Sequence, residues 1–218
     1  MTTLPRRFLQ ALDRFNASHP WDHNAHYHRW IMRQLPRSFR TALDVGSGTG
    51  GLARLLATRA AAVDAIDSDP ATVTRARELT PADTPVTFIT TDALTGIPSA
   101  SYDVITCVAA LHHLPFTDAL ARFRRHLAPG GTLVVVGVWR AHTLGDHLLG
   151  AAAVPLNAAT GWIKNKGRTA CPPASMTAPV RPPTMSFAEI AREARRILPG
   201  VRLRRRLFWR YTLVWHQD

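Results

Sequence analysis

Apolar residues at Leu4, Phe8, Leu9, Leu12 and Phe15 recur with a helical period, which predicts a helix over residues 4–17. A second helix is expected over AHYHRWIMRQL (25–35), with Asp22 or Asn24 as its N-cap and Pro36 beyond its end. The period then changes. TALDV (41–45) is a short apolar strand running into glycines, and GGLARLLATRA behind it reads as a helix. AVDAID (62–67) is the next strand, and Pro70 opens the helix PATVTRAREL. PVTFITTD (85–92), SYDVITCVA (101–109) and GTLVVVGVW (131–139) are three further strands. The helix TDALARFRRHLAPGG precedes the last of them and is expected to close at Pro129 and the glycines after it.

Strands alternating with helical stretches build a parallel sheet, and five such strands fall between residues 41 and 139. SFAEIAREARRIL (186–198) is a helix opened by a capping box, Ser186 to Glu189. The segments VRLRRRLF and RYTLVWH after it lie too close together for a helical crossover. They either pair antiparallel through a tight turn or bulge, or extend different parts of the sheet. Residues 140–185, rich in small residues and prolines, read as an inserted helix followed by a long irregular segment.

A chain of 218 residues with 46% apolar content fits one soluble globular domain. No apolar run reaches the roughly 18–20 residues of a membrane-spanning helix. The N-terminus lacks the apolar core and cleavage site of a secretory signal. Cys107 and Cys171 make no disulfide framework, so reducing cytoplasm is the expected compartment. The net charge of +12 comes almost wholly from arginine, since Lys164 and Lys166 are the only lysines. Such a charge raises nucleic-acid binding, but the basic C-terminal region lacks aromatic residues interleaved in a stacking pattern. Solvated arginine faces account for it equally simply.

Ligands of open α/β sheets bind beyond the carboxyl ends of the strands. The first strand ends in DVGSGTGG (Asp44 to Gly51), whose Gly46, Gly48 and Gly50 allow a sharp turn and close ligand approach. The second ends at Asp67, placed to accept ribose hydroxyls, the third at Asp92, and the fourth near Cys107 before AALHHLP. Gly46, Gly48 and Gly51 also satisfy G-x-G-x-x-G, the dinucleotide fingerprint. Asp44 separates the two readings. A carboxylate at the mouth of the turn repels a diphosphate and suits a ligand carrying an ammonium and a sulfonium. Each acid taken alone is also an ordinary cap or turn residue.

On LDVGSGTG, AIDSDP, TTDAL, YDVITCVAALHHL and LAPGGTLVVV the chain resembles the class I S-adenosylmethionine-dependent methyltransferases. The resemblance covers residues 41–139 and extends to the closing strand pair. It implies a single Rossmann-like three-layer α/β sandwich, 1–218. Its mostly parallel sheet would have seven strands, the last antiparallel. The parts would be an N-terminal helical lid (1–40), a cofactor-binding core (41–139), an acceptor-pocket insertion before the last helix (140–185), and a closing helix and strand pair (186–218). Asp44 and Gly46 would face the methionine end of the cofactor, with Ser47, Gly48 and Gly50 along the loop. Asp67 and Ser68 would hold the ribose, and Asp92 with Ala93 or Leu94 would flank the adenine. Val108, Ala109 and Ala110 would pass near the methionine moiety.

The same resemblance implies in-line transfer of a sulfonium methyl to a nucleophile, with the protein contributing alignment and exclusion of water. A general base is optional in such a site. His112 and His113 stand where one would act, although LHHL is also a frequent structural element in the family. The segment HPWDHNAHYHRW holds His19, His23, His26 and His28, but Pro20 interrupts the one i, i+4 pair and no further ligand completes a tetrahedral set, so no metal is expected. It is similar to lead-in helices that fold over the methionine end, which nominates Asn24, Tyr27 and His28 as cofactor contacts. A polar helix face with Trp21, Trp30 and Ile31 packed inward is the plainer reading. LGDHLLGAAAVPLNAATGWI suggests a greasy wall, with Trp162 and Met176 as lining. The expected partner is therefore a small, largely apolar methyl acceptor on a monomer or homodimer. An RNA or protein methyltransferase drawn by the basic C-terminal region is the alternative within enzymes. A non-catalytic cofactor-binding module is the alternative outside them, and an oxidoreductase is disfavoured by Asp44.

Overall fold

The computed structural model describes residues 6–98, 101–173, 176 and 181–218. Leu4, at the head of the first expected helix, and much of the proline-rich part of 140–185 lie outside the described residues. Five strands pair in parallel: β1 (Phe39–Val45), β2 (Ala60–Asp67), β3 (Val86–Thr90), β4 (Tyr102–Val108) and β5 (Leu127–Val138). β7 (Arg210–His216) runs antiparallel between β5 and β6 (Arg202–Arg206), and the full order is β3-β2-β1-β4-β5-β7-β6. The closing segments thus form a hairpin whose second strand lies inside the sheet.

Both faces of the sheet are covered, which is why β4 and β5 read as nearly unbroken apolar runs. One face packs Leu43, Ile105, Leu133 and Leu213 against Leu120 and Phe123 of α6 (Phe116–His126) and Ile190 and Ala194 of α8 (Phe187–Ile197). The other packs Ala42, Val104, Val134 and Val214 among Ile31 of α3 (His28–Gln34), Leu52 and Leu56 of α4 (Gly51–Leu56) and Val73 of α5 (Pro70–Glu78). Edge strand β6 exposes Arg202, Arg204 and Arg205, a charge density that discourages pairing with another chain. These three layers are the expected sandwich.

Three local expectations change. The helix expected over 25–35 is two helices, α2 (His23–His26) and α3, which meet at Tyr27. Asp22 is the N-cap, accepting from the Asn24 and Ala25 amides, and Asn24 is inside the helix. The stretch LAPGG does not extend α6. Instead β5 starts at Leu127 and passes through a register shift opposite Tyr102 and Val104, with the Gly130 amide donating to Gln217 O. The helix after the glycine loop stops at Leu56.

Ahead of the sheet lies α1 (Arg6–Ser18), which meets the long α7 (Leu144–Lys164) of the insertion. Helix α7 is opened by a second capping box, Thr143 with Asp146, and carries Pro155 internally. Among the described residues no helix is long and apolar enough to cross a membrane.

Candidate cofactor site and acceptor cleft

The turn after β1 is fixed from two sides. The amides of Gly46 and Ser47 both donate to Ile66 O, at 2.9 and 3.0 Å, which ties the turn to the end of β2. Gly46 has φ 67°, and a Cβ there would overlap the Cβ of Ala110 from the loop after β4. Glycine is therefore required twice over, for conformation and for space. Gly48 also sits at positive φ, but its face is open, and its amide donates to Asp67 Oδ2 at 2.9 Å. Gly50 is the N-cap of α4.

Asp44 is buried on β1 with its Oδ1 accepting from Thr106 Oγ1 at 2.7 Å, across the strand pairing that sets Asp44 beside Thr106. Burial pushes its carboxyl up to about 7, the nearby Asp67 pushes the same way, and the Thr106 hydroxyl opposes both. Asp67 ends β2 half-buried and also accepts from the Asp69 amide, while Ser68 is exposed. Asp92 is exposed and closes a turn by accepting from the Leu94 amide at 2.7 Å; Ala93 is buried and Leu94 packs on the core beneath.

Beyond β4, Val108, Ala109 and Ala110 are half-buried, and Ala109 takes φ 52°, in the left-handed region. A non-glycine residue held there is costly and marks a backbone shaped by its surroundings. His112 and His113 follow in a 3-10 turn with ring centroids 4.0 Å apart. Burial, with help from His113 and Arg210, holds the His112 imidazole down at about 4, so it is neutral at pH 7 and a weak base. Its Nδ1 is buried without a hydrogen-bond partner. His113 is exposed.

The histidine-rich segment covers this edge of the sheet, and its side chains are largely committed to the protein. Tyr27 OH donates to Leu207 O at 2.9 Å, and Asn24 Oδ1 accepts from Arg210 Nη2 at 3.1 Å. His23 Nε2 and Trp21 Nε1 both bond Asn157 Oδ1 of α7, at 2.7 and 3.0 Å. The Phe208 ring, at the tip of the β6–β7 hairpin, meets Trp21, His23 and His26 edge to face. Burial pushes the His28 imidazole down from its ordinary value, and its Cε1 lies beside Gly51, against the start of α4. Among the described residues no three potential metal ligands gather. Trp162 is exposed, as is Met176. A depression lined by Phe39, Arg40, Asp103 and Gly130 lies at the amino ends of the strands, the wrong edge for a ligand.

Sequence reasoning missed Thr106, Asn157, Phe208 and Arg210. Only Thr106 had a signal, its place at the same depth of the next strand as Asp44.

A buried carboxylate, a glycine turn with an open face, an acid at the second strand end and the buried unpartnered Ser47 Oγ fit a nucleoside ligand with a cationic tail. With the strand order, they define a class I S-adenosylmethionine-dependent methyltransferase. Residues 43–135 match the family described as "Methyltransferase domain". The chain is 33% identical over 208 residues to an uncharacterized methyltransferase of Mycobacterium tuberculosis, covering 90% of this chain and 96% of that one. It belongs to this methyltransferase family, and its cofactor is S-adenosylmethionine. It is also 42% identical over 98 residues to the 2-methyl-6-phytyl-1,4-hydroquinone methyltransferase of Synechocystis, covering 44% of this chain and 31% of that one. The N-methyltransferase NodS of Bradyrhizobium japonicum, solved with S-adenosylhomocysteine, shares the fold with TM-score 0.59 and 17% identity over 96% of this chain and 97% of that one.

Proposed function

We propose that the protein methylates a small acceptor with a largely apolar body, in the cytoplasm. The observation that carries this reading is a roof: the lid segment bonds both the β6–β7 hairpin and α7 at the carboxyl edge of the sheet. A roof of this kind suits a small molecule that is shielded from water and leaves little room for a folded RNA or protein. The hydroquinone relative is in keeping with an acceptor of that kind. In this reading residues 1–40 are the lid, 41–139 the cofactor core, 140–185 the outer wall and 186–218 the closing unit.

S-adenosylmethionine supplies the activated methyl group. Asp44 and Gly46 receive its methionine end, Ser47, Gly48 and Gly50 line its path, and Asp67 with Ser68 holds the ribose. Asp92, Ala93 and Leu94 border the adenine, and Val108 and Ala109 border the methionine from β4. Asn24, Tyr27 and His28 close the roof, Tyr27 by its ring because its hydroxyl is engaged. His112 and His113 face the acceptor side, where neutral His112 offers a hydrogen bond. Calorimetric titration with S-adenosylhomocysteine and with a nicotinamide dinucleotide tests the cofactor assignment; binding of the dinucleotide alone overturns it. A labelled-cofactor assay on fractionated metabolites tests the acceptor, and label found only in RNA or protein overturns the small-molecule reading.

A further inference from the structure

Helix α7 is patterned inside out. Asp146, Gly150, Asn157 and Gly161 recur at helical spacing on the side that meets the rest of the protein. Asp146 closes the capping box and pairs with Arg205 of β6 at 3.3 Å. Gly150 leaves room for the Trp209 indole, Asn157 bonds Trp21, His23 and Asn16, and Gly161 meets His19 O. Leu148, Pro155 and Trp162 stand about half a turn away, on the outer side. Leu144, Leu148, Leu156, Trp162 and Ile163 are 44% to 76% exposed, with exposed alanines between them. A helix that faces water turns its polar residues out, whereas here the only acid of the helix and its one amide side chain are turned in. The exposed Trp209, lying against α7 at Gly150, widens the apolar surface at the hairpin tip.

We propose that α7 lays this outer face on an anionic phospholipid bilayer. Charge singles out that partner. The chain's only two lysines, Lys164 and Lys166, lie at the end of the stripe with Arg168, and all three are exposed. At the other end Arg205 has Arg202 and Arg204 as exposed neighbours on β6. Cations at both ends of a stripe of leucine, isoleucine and tryptophan suit a surface that is apolar inside and negative at its headgroups. A second copy of the chain fits less well, because a two-fold contact along α7 sets the lysine end against itself or against the β6 arginines. The helix has 21 residues and is not a membrane span, so it would lie in the interface plane with its outer face about 5–10 Å deep. Docking of this kind does not depend on which acceptor is methylated.

Co-sedimentation with vesicles of phosphatidylcholine, with and without about one-third phosphatidylglycerol, tests this. The unaltered protein should bind the anionic vesicles at least about tenfold more strongly than the neutral ones, less so as NaCl is raised. Leu148→Ser with Ile163→Ser should weaken that binding at least about tenfold. Because both positions are exposed, Tm should move by less than about 2 °C. Lys166→Gln with Arg168→Gln should also weaken it about tenfold, at about 1 kcal/mol per charge. Failure of the unaltered protein to bind anionic vesicles overturns the proposal and needs no variant to fold. Equal binding by the serine variant overturns it too, since the charges alone would then hold the protein. A dimer in sedimentation velocity that the serine variant dissociates would give the face to a second copy. Binding to polyuridylate in place of vesicles would give the cations to nucleic acid. Either result overturns the membrane assignment.

Discussion

In the cofactor site we propose, Asp44 has to be ionised to receive a cation, yet it sits where ionisation is disfavoured. Its carboxyl is raised from 3.8 to about 7, chiefly by burial. A shift of about three units is worth about 4 kcal/mol at 1.36 kcal/mol per unit, all of it unfavourable to the ligand-free fold. Because the folded-state value is raised, the native state holds this proton while the unfolded chain has lost it. Stability therefore falls as pH rises from about 4 to about 7 and is level above that. Asp44→Asn removes the titration and keeps an acceptor for Thr106 Oγ1. It also buries an amide N–H group that lacks a partner, costing about 1–3 kcal/mol. The ligand-free variant should thus be about 2 kcal/mol more stable than the parent at pH 8, or about 4–8 °C in Tm for a chain of this size. At pH 4, where nearly all of the titration term has gone, it should be about 1–2 kcal/mol less stable. Its S-adenosylhomocysteine affinity should drop more than about tenfold, and that of the parent should rise between pH 6 and 8 as Asp44 ionises. Thermal melts of both proteins at pH 4, 6 and 8 measure the difference. A stability gap independent of pH refutes the reasoning, because only titration of Asp44 makes it change.

Gly46→Ala meets both a positive φ and the Ala110 Cβ, so the loops after β1 and β4 must separate; about 2–4 kcal/mol of stability should be lost, together with measurable S-adenosylhomocysteine binding, in urea melts and titration. Tyr27→Phe deletes only the bond to Leu207 O and should lower stability by about 1 kcal/mol with an unchanged urea m-value. Asn157→Ala releases His23 and Asn16 and leaves Trp21 Nε1 only its longer bond to the main-chain carbonyl of residue 157, so limited proteolysis should cut near residues 19–27 faster than in the parent while Tm moves by only a few degrees. At saturating S-adenosylmethionine a His112→Gln enzyme should keep the parent's rate profile between pH 6 and 8, since the parent imidazole is already neutral there; an acidic limb present in the parent and lost in the variant would assign His112 a base role.

The legible parts of this protein are those encoded within a few residues. Apolar runs set the five parallel strands, Pro70 and Ser186 mark helix starts, and the spacing from Asp44 through Gly50 to Asp67 nominates the edge at which we propose that the cofactor binds. At two of the three places where helix limits moved, long-range pairing outweighs local preference: Tyr27 is drawn to the hairpin tip, and LAPGG is drawn into β5 by Gln217. The roof was illegible for the same reason. Its contacts join residues 134–186 positions apart, such as His23 with Asn157 and Asn24 with Arg210, and no period or motif announces such pairs. The histidines that invited a metal reading take part in ring contacts and carbonyl bonds, as with His19 Nδ1 on Phe15 O.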